Sequence, residues 1–422
     1  MIHVFRKSVE YQHSLKSNVL WNIVGYASNA IFQWSIITVF AKTNHVEMIG
    51  HYSLALSVST PIAMFCWLSL RSILSSDTSN QFNLNVYVNL RIVMGVLGFF
   101  ITILSVVILH YDYMQSGLVL ILAMTKVFDG ISDMYLGYYQ QKGRSYILGQ
   151  SLFIKSILSL SLFSAIIILT SNIWLATLST TGVSILMLFL FDTKYINIKE
   201  KFSTKVEYKD LRTLFLIALP LGIVPFIYNL FIAVPRFFIE KDLGVKSVGF
   251  YASIYFTVMA GIIITIALTD TIVPIMSKYR VEYQRTKLEK LLAISILGSL
   301  IIVGIGLVFV KYFGSLFLEY VFNSEFAQYN QLLMLGIIML GTEVVVKLLS
   351  NTLTVFRKLK IQTVTSIFGL ICIIVSCFFL IPIWGLNAAF ISQIIANIAQ
   401  IIVIVLILKK AMNQWFKEHS IS

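Results

Sequence analysis

Residues 291–310 read LLAISILGSLIIVGIGLVFV, an apolar run that contains no charged side chain. A transmembrane α-helix needs roughly 20 predominantly apolar residues to cross the hydrocarbon core of a bilayer, so this run is long enough to span it. Backbone groups in hydrocarbon must be hydrogen-bonded within a helix or a closed barrel, and an unbroken run of this length favours the helix. The segment is therefore expected to be a transmembrane helix.

The composition of the whole chain agrees with a membrane protein. Hydrophobic residues make up 58% of its 422 residues, charged residues only 12%, and the mean hydropathy is +0.86. These values lie far outside the amino-acid composition that is typical of soluble proteins. The three cysteines lie in apolar segments without metal-ligand spacing, so neither a metal nor another cofactor is expected. The formal charge of +13 is scattered among short loops, which argues against nucleic acid as a partner.

Eleven further apolar segments are of spanning length. Together, the predicted helices lie near residues 17–41, 48–70, 86–109, 116–139, 147–170, 173–193, 211–239, 249–276, 289–310, 328–354, 361–381 and 385–408. The sequence thus predicts an all-α integral membrane protein with about twelve transmembrane helices.

The basic residues of the loops predict the topology. The even-numbered loops and the two termini carry 23 lysines and arginines, whereas the odd-numbered loops carry only four. By the positive-inside rule both termini are expected in the cytoplasm, which requires an even number of spans. Arg6, Lys7 and Lys16 precede the first apolar helix without a cleavage site, so that helix is expected to remain as an anchor.

The two halves of the chain resemble each other. The longest polar stretch suggests an N-terminal bundle of residues 1–193, a cytoplasmic linker 194–210 and a C-terminal bundle 211–422. The motif VEMIGHY at 46–52 recurs as VKSVGFY at 245–251, at a spacing of 199 residues. Six spans per half give both copies the same orientation, so their pseudo-axis lies along the membrane normal, as in transporters. We expect two six-helix bundles around a central cavity.

Two segments of the second half resemble a known family. Residues 234–251, VPRFFIEKDLGVKSVGFY, are similar to the signature between the seventh and eighth helices of polysaccharide flippases, with Pro235 where that family has an acidic residue. Residues 382–389, PIWGLNAA, are similar to the entry of its last helix. The chain thus resembles the Wzx-type O-antigen and capsule flippases of the multidrug/oligosaccharidyl-lipid/polysaccharide (MOP) exporter superfamily.

The resemblance implies a substrate and a location. Such proteins move undecaprenyl-pyrophosphate-linked oligosaccharide from the cytoplasmic to the outer leaflet of the bacterial inner membrane by alternating access. Membrane lipids, a polysaccharide polymerase and a chain-length regulator are the implied partners, and the protein is not expected to be an enzyme.

Basic side chains within the predicted spans are candidate substrate ligands. A charge at the bilayer centre costs roughly 2.5–3.5 kcal/mol on insertion scales, so such a residue suggests a site. Arg91 lies near the cytoplasmic end of its helix and is expected to snorkel to the interface. The remaining four could bind a pyrophosphate, since guanidinium binds phosphate bidentately and ammonium binds it as a point charge; they are Lys126, Lys155, Arg236 and Lys347.

Acidic side chains in the same helices are candidates for proton or sodium coupling. Lys126, Asp129 and Asp133 share one helix face, which either forms an internal ion pair that neutralises Lys126 or lines a cavity. Glu343 lies four residues before Lys347 in the equivalent helix of the second half. Asp270, close to Pro274, either marks a helix end or takes part in ion coupling. The candidates for ion coupling are therefore Asp129, Asp133, Asp270 and Glu343.

Two further features have alternative interpretations. Pro220, Pro225 and Pro235 suggest that the seventh helix is broken into a moving gate, or statically curved. Arg236 on this helix could anchor the helix to lipid headgroups or bind phosphate. The aromatic stretch 135–139 offers stacking surfaces for sugars, or belongs to the interfacial belt.

Two other functions compete with the flippase. A multidrug exporter of the same fold would need a cavity that attracts organic cations, and the basic intramembrane charge argues against it. A membrane glycosyltransferase or O-antigen polymerase would need catalytic groups outside the bilayer. The longest predicted outer loop, 311–327, is short and carries only Glu319 and Glu325 as acidic residues, which argues against such an enzyme. No Walker-type loop is present, so direct coupling to ATP is not expected.

Overall fold

The structure is a computed structural model in which helices form every regular element that is described. It describes residues 2–43, 45–77, 79–194 and 206–418, with the side chains of 2–15, 262–271, 359 and 417–418 left out. The helices are α1 (Ile2–Lys42), α2 (Val46–Trp67), α3 (Leu70–Ser76), α4 (Leu84–Ile108), α5 (Tyr113–Gln141), α6 (Tyr146–Thr170), α7 (Ile173–Met187), α8 (Tyr208–Leu243), α9 (Val245–Ala260), α10 (Ile262–Val281), α11 (Arg285–Val321), α12 (Asn330–Val355), α13 (Leu359–Trp384) and α14 (Leu386–Glu418). The predicted all-α class is confirmed.

The helices coincide with the predicted spans, but α11 continues to Val321, so most of the predicted outer loop 311–327 is helical instead. Within the described residues, eleven helices are long and apolar enough to cross a membrane. The predicted second span is divided into α2 and the short α3 by Leu68 and Ser69, both with positive φ. The predicted eighth span corresponds to α9 and α10, which meet at Gly261. A π-helical turn, Leu188–Asp192, continues α7.

The chain divides into two compact units. The first comprises Met1–Val39 and Ala55–Asn229, and the second comprises Phe40–Leu54 and Leu230–Ser422. Each unit has its own apolar core. Buried residues of the first include Leu70, Tyr87, Met134, Tyr139 and Leu214, and those of the second include Met276, Leu288, Leu353, Ile404 and Leu408. The predicted linker 194–210 lies largely outside the described residues.

Large apolar side chains also cover much of the outside of each unit. On α11, Ile305 and Leu316 are 66% and 65% exposed. Soluble monomers rarely expose contiguous apolar surface on this scale, whereas in lipid it carries no cost. The outward-facing apolar helix surfaces therefore fit a multi-pass membrane protein.

The predicted breaks of the seventh helix are absent. The helix α8 runs without interruption from Tyr208 to Leu243 and includes Pro220, Pro225 and Pro235. Each proline removes one hydrogen bond and its ring crowds the carbonyl four residues earlier, which can bend the helix, but the remaining hydrogen bonds continue past each site. The interpretation of a helix broken three times is therefore wrong.

Candidate functional site

One face of α5 carries a carboxylate between two glycines. Gly130, Asp133 and Gly137 are spaced three and four residues apart, so they lie on the same side of the helix. A Cβ atom at Gly130 would lie 3.3 Å from Cδ of Arg91, and one at Gly137 would lie 2.8 Å from Cγ of Arg71. The absent side chains of the two glycines therefore leave room for two arginines beside Asp133.

Asp133 binds both of these arginines. Nη1 of Arg71 donates to Oδ1 over 2.9 Å, and Nη2 of Arg91 donates to Oδ2 over 3.4 Å. Arg71 also donates to the hydroxyl of Tyr26 over 2.8 Å. The helices α3, α4 and α5 each supply one of the three charged groups. Because two cations share one carboxylate, this group keeps a net positive charge.

Arg91 is among the most deeply buried side chains of the first unit. It is 1% exposed, and its guanidinium carbon lies 5.4 Å from the ring of Trp67. The prediction that it snorkels to the interface is wrong, because Asp133 supplies a counter-charge and Trp67 an aromatic face inside the protein. Its Nε and Nη1 have no hydrogen-bond partner among the described residues. These nitrogens could donate to an anionic ligand.

A second ion pair lies on the same helix face. Lys155 of α6 pairs with Asp129 of α5, and both side chains are about a quarter exposed, at 25% and 22%. Lys126 is half-buried, lines a narrow cavity beside Trp67 and forms no ion pair with any described residue. The interpretation of an internal ion pair that neutralises Lys126 is wrong, since Asp129 pairs with Lys155 and Asp133 with the arginines.

These side chains form what we call the cationic cluster, which consists of Arg71, Arg91, Lys126, Lys155, Asp129 and Asp133. Four basic groups face two carboxylates, so the cluster has an excess of positive charge. Such a set can bind an anion through charge-assisted hydrogen bonds, and guanidinium groups match the geometry of phosphate oxygens. The structure brings together Lys126, Lys155, Asp129 and Asp133, which the sequence singled out separately.

Sequence reasoning did not select Arg71 and Arg91 as site residues. Arg71 lies one residue beyond the predicted helix 48–70, and Arg91 lies close to a predicted helix end. The signal that could have found them is on α5, where Gly130 and Gly137 flank Asp133 on one face. Glycines at that spacing indicate close approach of other groups to the helix.

A polar cavity of about 230 Å³ lies at the end of α5. Its lining includes Asn80, Asn83, Asn85, Tyr138, Gln141 and Lys142. Nζ of Lys142 lies 5.2 Å from the ring of Tyr138. Amide groups both donate and accept, so they can hydrogen-bond sugar hydroxyls, and a tyrosine ring can stack on a sugar.

Tyr135 and Tyr139 are only 6% and 2% exposed, so neither one belongs to an interfacial belt.

Arg236 lies in the second unit and is also buried. It is 4% exposed, and its guanidinium carbon lies 5.2 Å from the ring of Tyr255 and 5.5 Å from that of Phe256. A side chain enclosed in this way does not reach lipid headgroups, which disfavours the anchoring interpretation. The helices α8 and α9 position the arginine and the two rings respectively.

The remaining candidates of the second unit are on α12 and α10. Glu343 is half-buried and interacts electrostatically with Tyr251 and Tyr255. Lys347 is half-buried and forms no ion pair with a described residue. The side chain of Asp270 lies outside the described residues. In the part of the chain that the structure describes, no group of acidic, histidine and cysteine side chains could hold a metal ion.

Comparison with known proteins adds independent information. No family model matches the chain. The capsular polysaccharide biosynthesis protein CapF of Staphylococcus aureus is 24% identical over 395 residues, which cover 91% of this chain and 97% of that protein. A lipid II flippase, MurJ, in an inward closed conformation superposes with a TM-score of 0.73 at 14% identity, over 94% of this chain and 90% of MurJ.

A multidrug resistance transporter of the MATE family in an inward-facing conformation superposes with a TM-score of 0.67. The identity is 15%, over 97% of this chain and 96% of the transporter. The chain therefore has the fold of these two solved structures. The resemblance noted in the sequence is confirmed, because a capsular polysaccharide biosynthesis relative and the flippase fold agree. The chain is a multi-pass membrane protein, and the similar structures are of a transporter and a flippase rather than of enzymes.

Proposed function

We propose that the chain is a flippase that translocates an undecaprenyl-pyrophosphate-linked oligosaccharide, an O-antigen or capsule repeat unit, from the cytoplasmic to the outer leaflet by alternating access. The observation that carries the proposal is the excess of positive charge in the cationic cluster. A pyrophosphate diester is the anionic part of such a substrate, and the cluster supplies guanidinium and ammonium groups for it.

The polar cavity at the end of α5 supports a saccharide as the rest of the cargo. Gly137, which contacts Arg71, directly precedes Tyr138 in the cavity wall. Phosphate ligands and sugar ligands are thus close together along one helix. The substrate would place its pyrophosphate at the cationic cluster and its first sugars against Tyr138 and the asparagine side chains.

The net charge of the cluster disfavours a multidrug exporter. Organic cations would be repelled by four basic side chains that only two carboxylates offset. The relative from Staphylococcus aureus acts in capsular polysaccharide biosynthesis, which agrees with a sugar cargo. The protein would reside in the bacterial cytoplasmic membrane with both termini in the cytoplasm. It would deliver the lipid-linked repeat unit to a polysaccharide polymerase and a chain-length regulator. Transport would be coupled to protons or sodium ions through the intramembrane carboxylates.

A deletion strain tests the proposal. Loss of the protein should abolish surface polysaccharide and leave the lipid-linked repeat unit in the cytoplasmic leaflet, while resistance to organic cations stays unchanged. The leaflet is identified by treating intact cells and inverted vesicles with a sugar-oxidising reagent that does not cross membranes. If the unit reaches the outer leaflet and remains unpolymerised, the protein acts as a polymerase instead. Increased sensitivity to organic cations with normal polysaccharide would identify an exporter.

A further inference from the structure

A buried carboxylate ends the last helix of the first half. Asp192 is the final residue of the π-helical turn Leu188–Asp192 and is 1% exposed. Such turns are rare and occur frequently at functional sites. A buried carboxylate is costly unless it is hydrogen-bonded or neutralised, so its partners decide which protonation state the protein stabilises.

Two serine hydroxyls hold the Asp192 side chain. Ser151 donates to Oδ1 over 2.6 Å, and Ser132 donates to Oδ2. The hydroxyl of Tyr139 donates to the backbone carbonyl of Asp192 over 2.8 Å. A serine hydroxyl can donate or accept, so these partners remain hydrogen-bonded to the side chain whether it is a carboxylate or a protonated acid. The site can therefore gain or lose a proton without leaving a polar group unsatisfied.

The serines connect Asp192 to the cationic cluster. On α5, Ser132 lies three residues after Asp129, and on α6, Ser151 lies four residues before Lys155. Asp129 pairs with Lys155, so the serine pair is the next contact between the same two antiparallel helices. Asp192 thus lies about one helical turn, or roughly 5 Å, from the Lys155–Asp129 ion pair.

Two charged groups among the residues that the structure describes, Lys155 and Asp129, act on this carboxylate. Lys155 stabilises its negative charge, whereas Asp129 opposes it. The other polar groups that face it are the uncharged hydroxyls of Ser132, Ser151 and Tyr139. An anion that binds to Lys155 would offset the favourable charge of this lysine and add a further negative charge nearby. Both changes favour the protonated acid over the carboxylate.

We propose that Asp192 is a proton-binding site coupled to the cationic cluster, and that its carboxylate takes up a proton from water when a phosphate of the substrate engages Lys155. This inference rests on the proposed function. The proton is accepted by a carboxylate oxygen, and no other bond changes. Lys194, two residues further on, is exposed, so the end of the span gives access to water. Because linkage is reciprocal, the affinity for the phosphate must rise as the pH falls.

Calorimetry on the full-length protein in lipid nanodiscs tests the coupling. The ligand is a short-chain polyprenyl pyrophosphate that carries one hexose, because such a diester does not change its own charge near neutral pH. Titrations in buffers of different ionisation enthalpy give the number of protons taken up on binding. The wild-type protein should take up protons. Asp192→Asn should bind the ligand without uptake, since an amide keeps hydrogen bonds to both serines but cannot be protonated.

Asp112→Asn is the matched control. Asp112 is the exposed N-cap of α5, and asparagine caps a helix as well as aspartate does, so uptake should be unchanged. Ser151→Ala removes one hydrogen-bond donor to the carboxylate and should reduce proton uptake on binding. This variant provides a second test if Asp192→Asn does not fold. Binding by the wild-type protein without proton uptake, or uptake retained in Asp192→Asn, would overturn the inference and leave the proposed function intact. Absence of binding by the wild-type protein would refute the proposed function itself.

Discussion

A Cβ atom added to Gly50 would lie 2.1 Å from the carbonyl oxygen of Val245. The relationship is reciprocal, because a Cβ added to Gly249 would lie 2.2 Å from the carbonyl oxygen of Val46. Each valine opens one copy of the repeated seven-residue motif, and each glycine is its fifth residue. The two copies therefore pack against each other, with the start of α2 against the start of α9 inside the second unit.

Alanine at either glycine should disturb this contact. The neighbour is a backbone carbonyl, which cannot move aside as the end of a flexible side chain can, so the helices must separate. Overpacking of this kind costs typically 1–3 kcal/mol. We expect Gly50→Ala and Gly249→Ala to lower the thermal stability of the purified protein in nanodiscs, and to reduce surface polysaccharide in complemented deletion cells.

Gly298→Ala is the control for these variants, because no heavy atom lies within 4 Å of its added Cβ atom. This substitution on α11 should leave stability unchanged or raise it, since alanine is the better helix former. Equal stability of the Gly50 and Gly298 variants would show that the close contact between the two motif copies does not form in the membrane.

The sequence predicted the helices well, and it predicted their contacts poorly. Hydropathy depends only on the residues within a helix, so eleven of the twelve predicted spans coincide with helices that are long and apolar enough to cross a membrane among the described residues. The repeat at 46–52 and 245–251 was also visible, but nothing in the motif shows that its two copies touch. Arg71 and Asp133 are 62 residues apart, and their ion pair depends on how α3 meets α5. Pairing across helices is a property of the packed protein, so the partners of Lys126 and Lys155 were assigned wrongly or not at all.

Asp133 should be more important for stability than any of its neighbours. Removal of one partner from a buried ion pair typically costs 3–5 kcal/mol, because the other charge stays buried without compensation. Asp133→Asn leaves Arg71 and Arg91 facing each other without a counter-charge. We expect a large loss of thermal stability, and Arg91→Met in the same background should restore part of it by removing the buried charge. If Asp133→Asn alone is as stable as the wild-type protein, solvent or lipid already screens the arginines.

Lys126, unlike Asp133, should matter for substrate binding and not for thermal stability. It forms no close ion pair among the described residues, and its attraction to Asp129 acts on a carboxylate that already pairs with Lys155. Lys126→Gln should therefore leave thermal stability unchanged. If the ammonium group contacts a phosphate, its removal should weaken binding of a polyprenyl pyrophosphate sugar by about tenfold or more, since such hydrogen bonds contribute about 1.5–3 kcal/mol. Lys311→Gln removes an exposed charge outside the cluster and is the control. Equal affinity of the two variants would exclude Lys126 from the binding site.

The topology can be tested at two positions. Lys201 belongs to the polar stretch predicted to be cytoplasmic, and Lys241 lies near the end of α8 on the predicted outer side. Single cysteines at these positions should differ in their labelling in intact cells. A thiol reagent that does not cross the membrane should label position 241 and not position 201. The natural cysteines Cys66 and Cys377 are buried, and Cys372 is partly buried, which keeps the background low. The reverse pattern of labelling would invert the orientation.

Arg236 provides a test of a second cationic position, in the other unit. Its guanidinium lies against the rings of Tyr255 and Phe256, and cation–π contacts of this kind contribute about 0.5–2 kcal/mol. If the group also binds a phosphate bidentately, Arg236→Lys keeps the charge but loses the paired hydrogen bonds. Lysine should then be partly defective and Arg236→Ala severely so. The measurement is surface polysaccharide in complemented deletion cells, normalised to the amount of protein in the membrane.

Packing is the competing explanation for any defect at this position, and Arg236→Met separates the two. Methionine fills a large part of the same volume beside Tyr255 and has a flexible side chain that adapts to irregular gaps, but it carries no charge. If the positive charge of Arg236 is required, methionine should fail as severely as alanine while the protein level stays normal. If packing between α8 and α9 is the whole role, methionine should restore activity and thermal stability together. Full activity of the methionine variant would remove Arg236 from the substrate site and shift the proposed phosphate contacts to the cationic cluster.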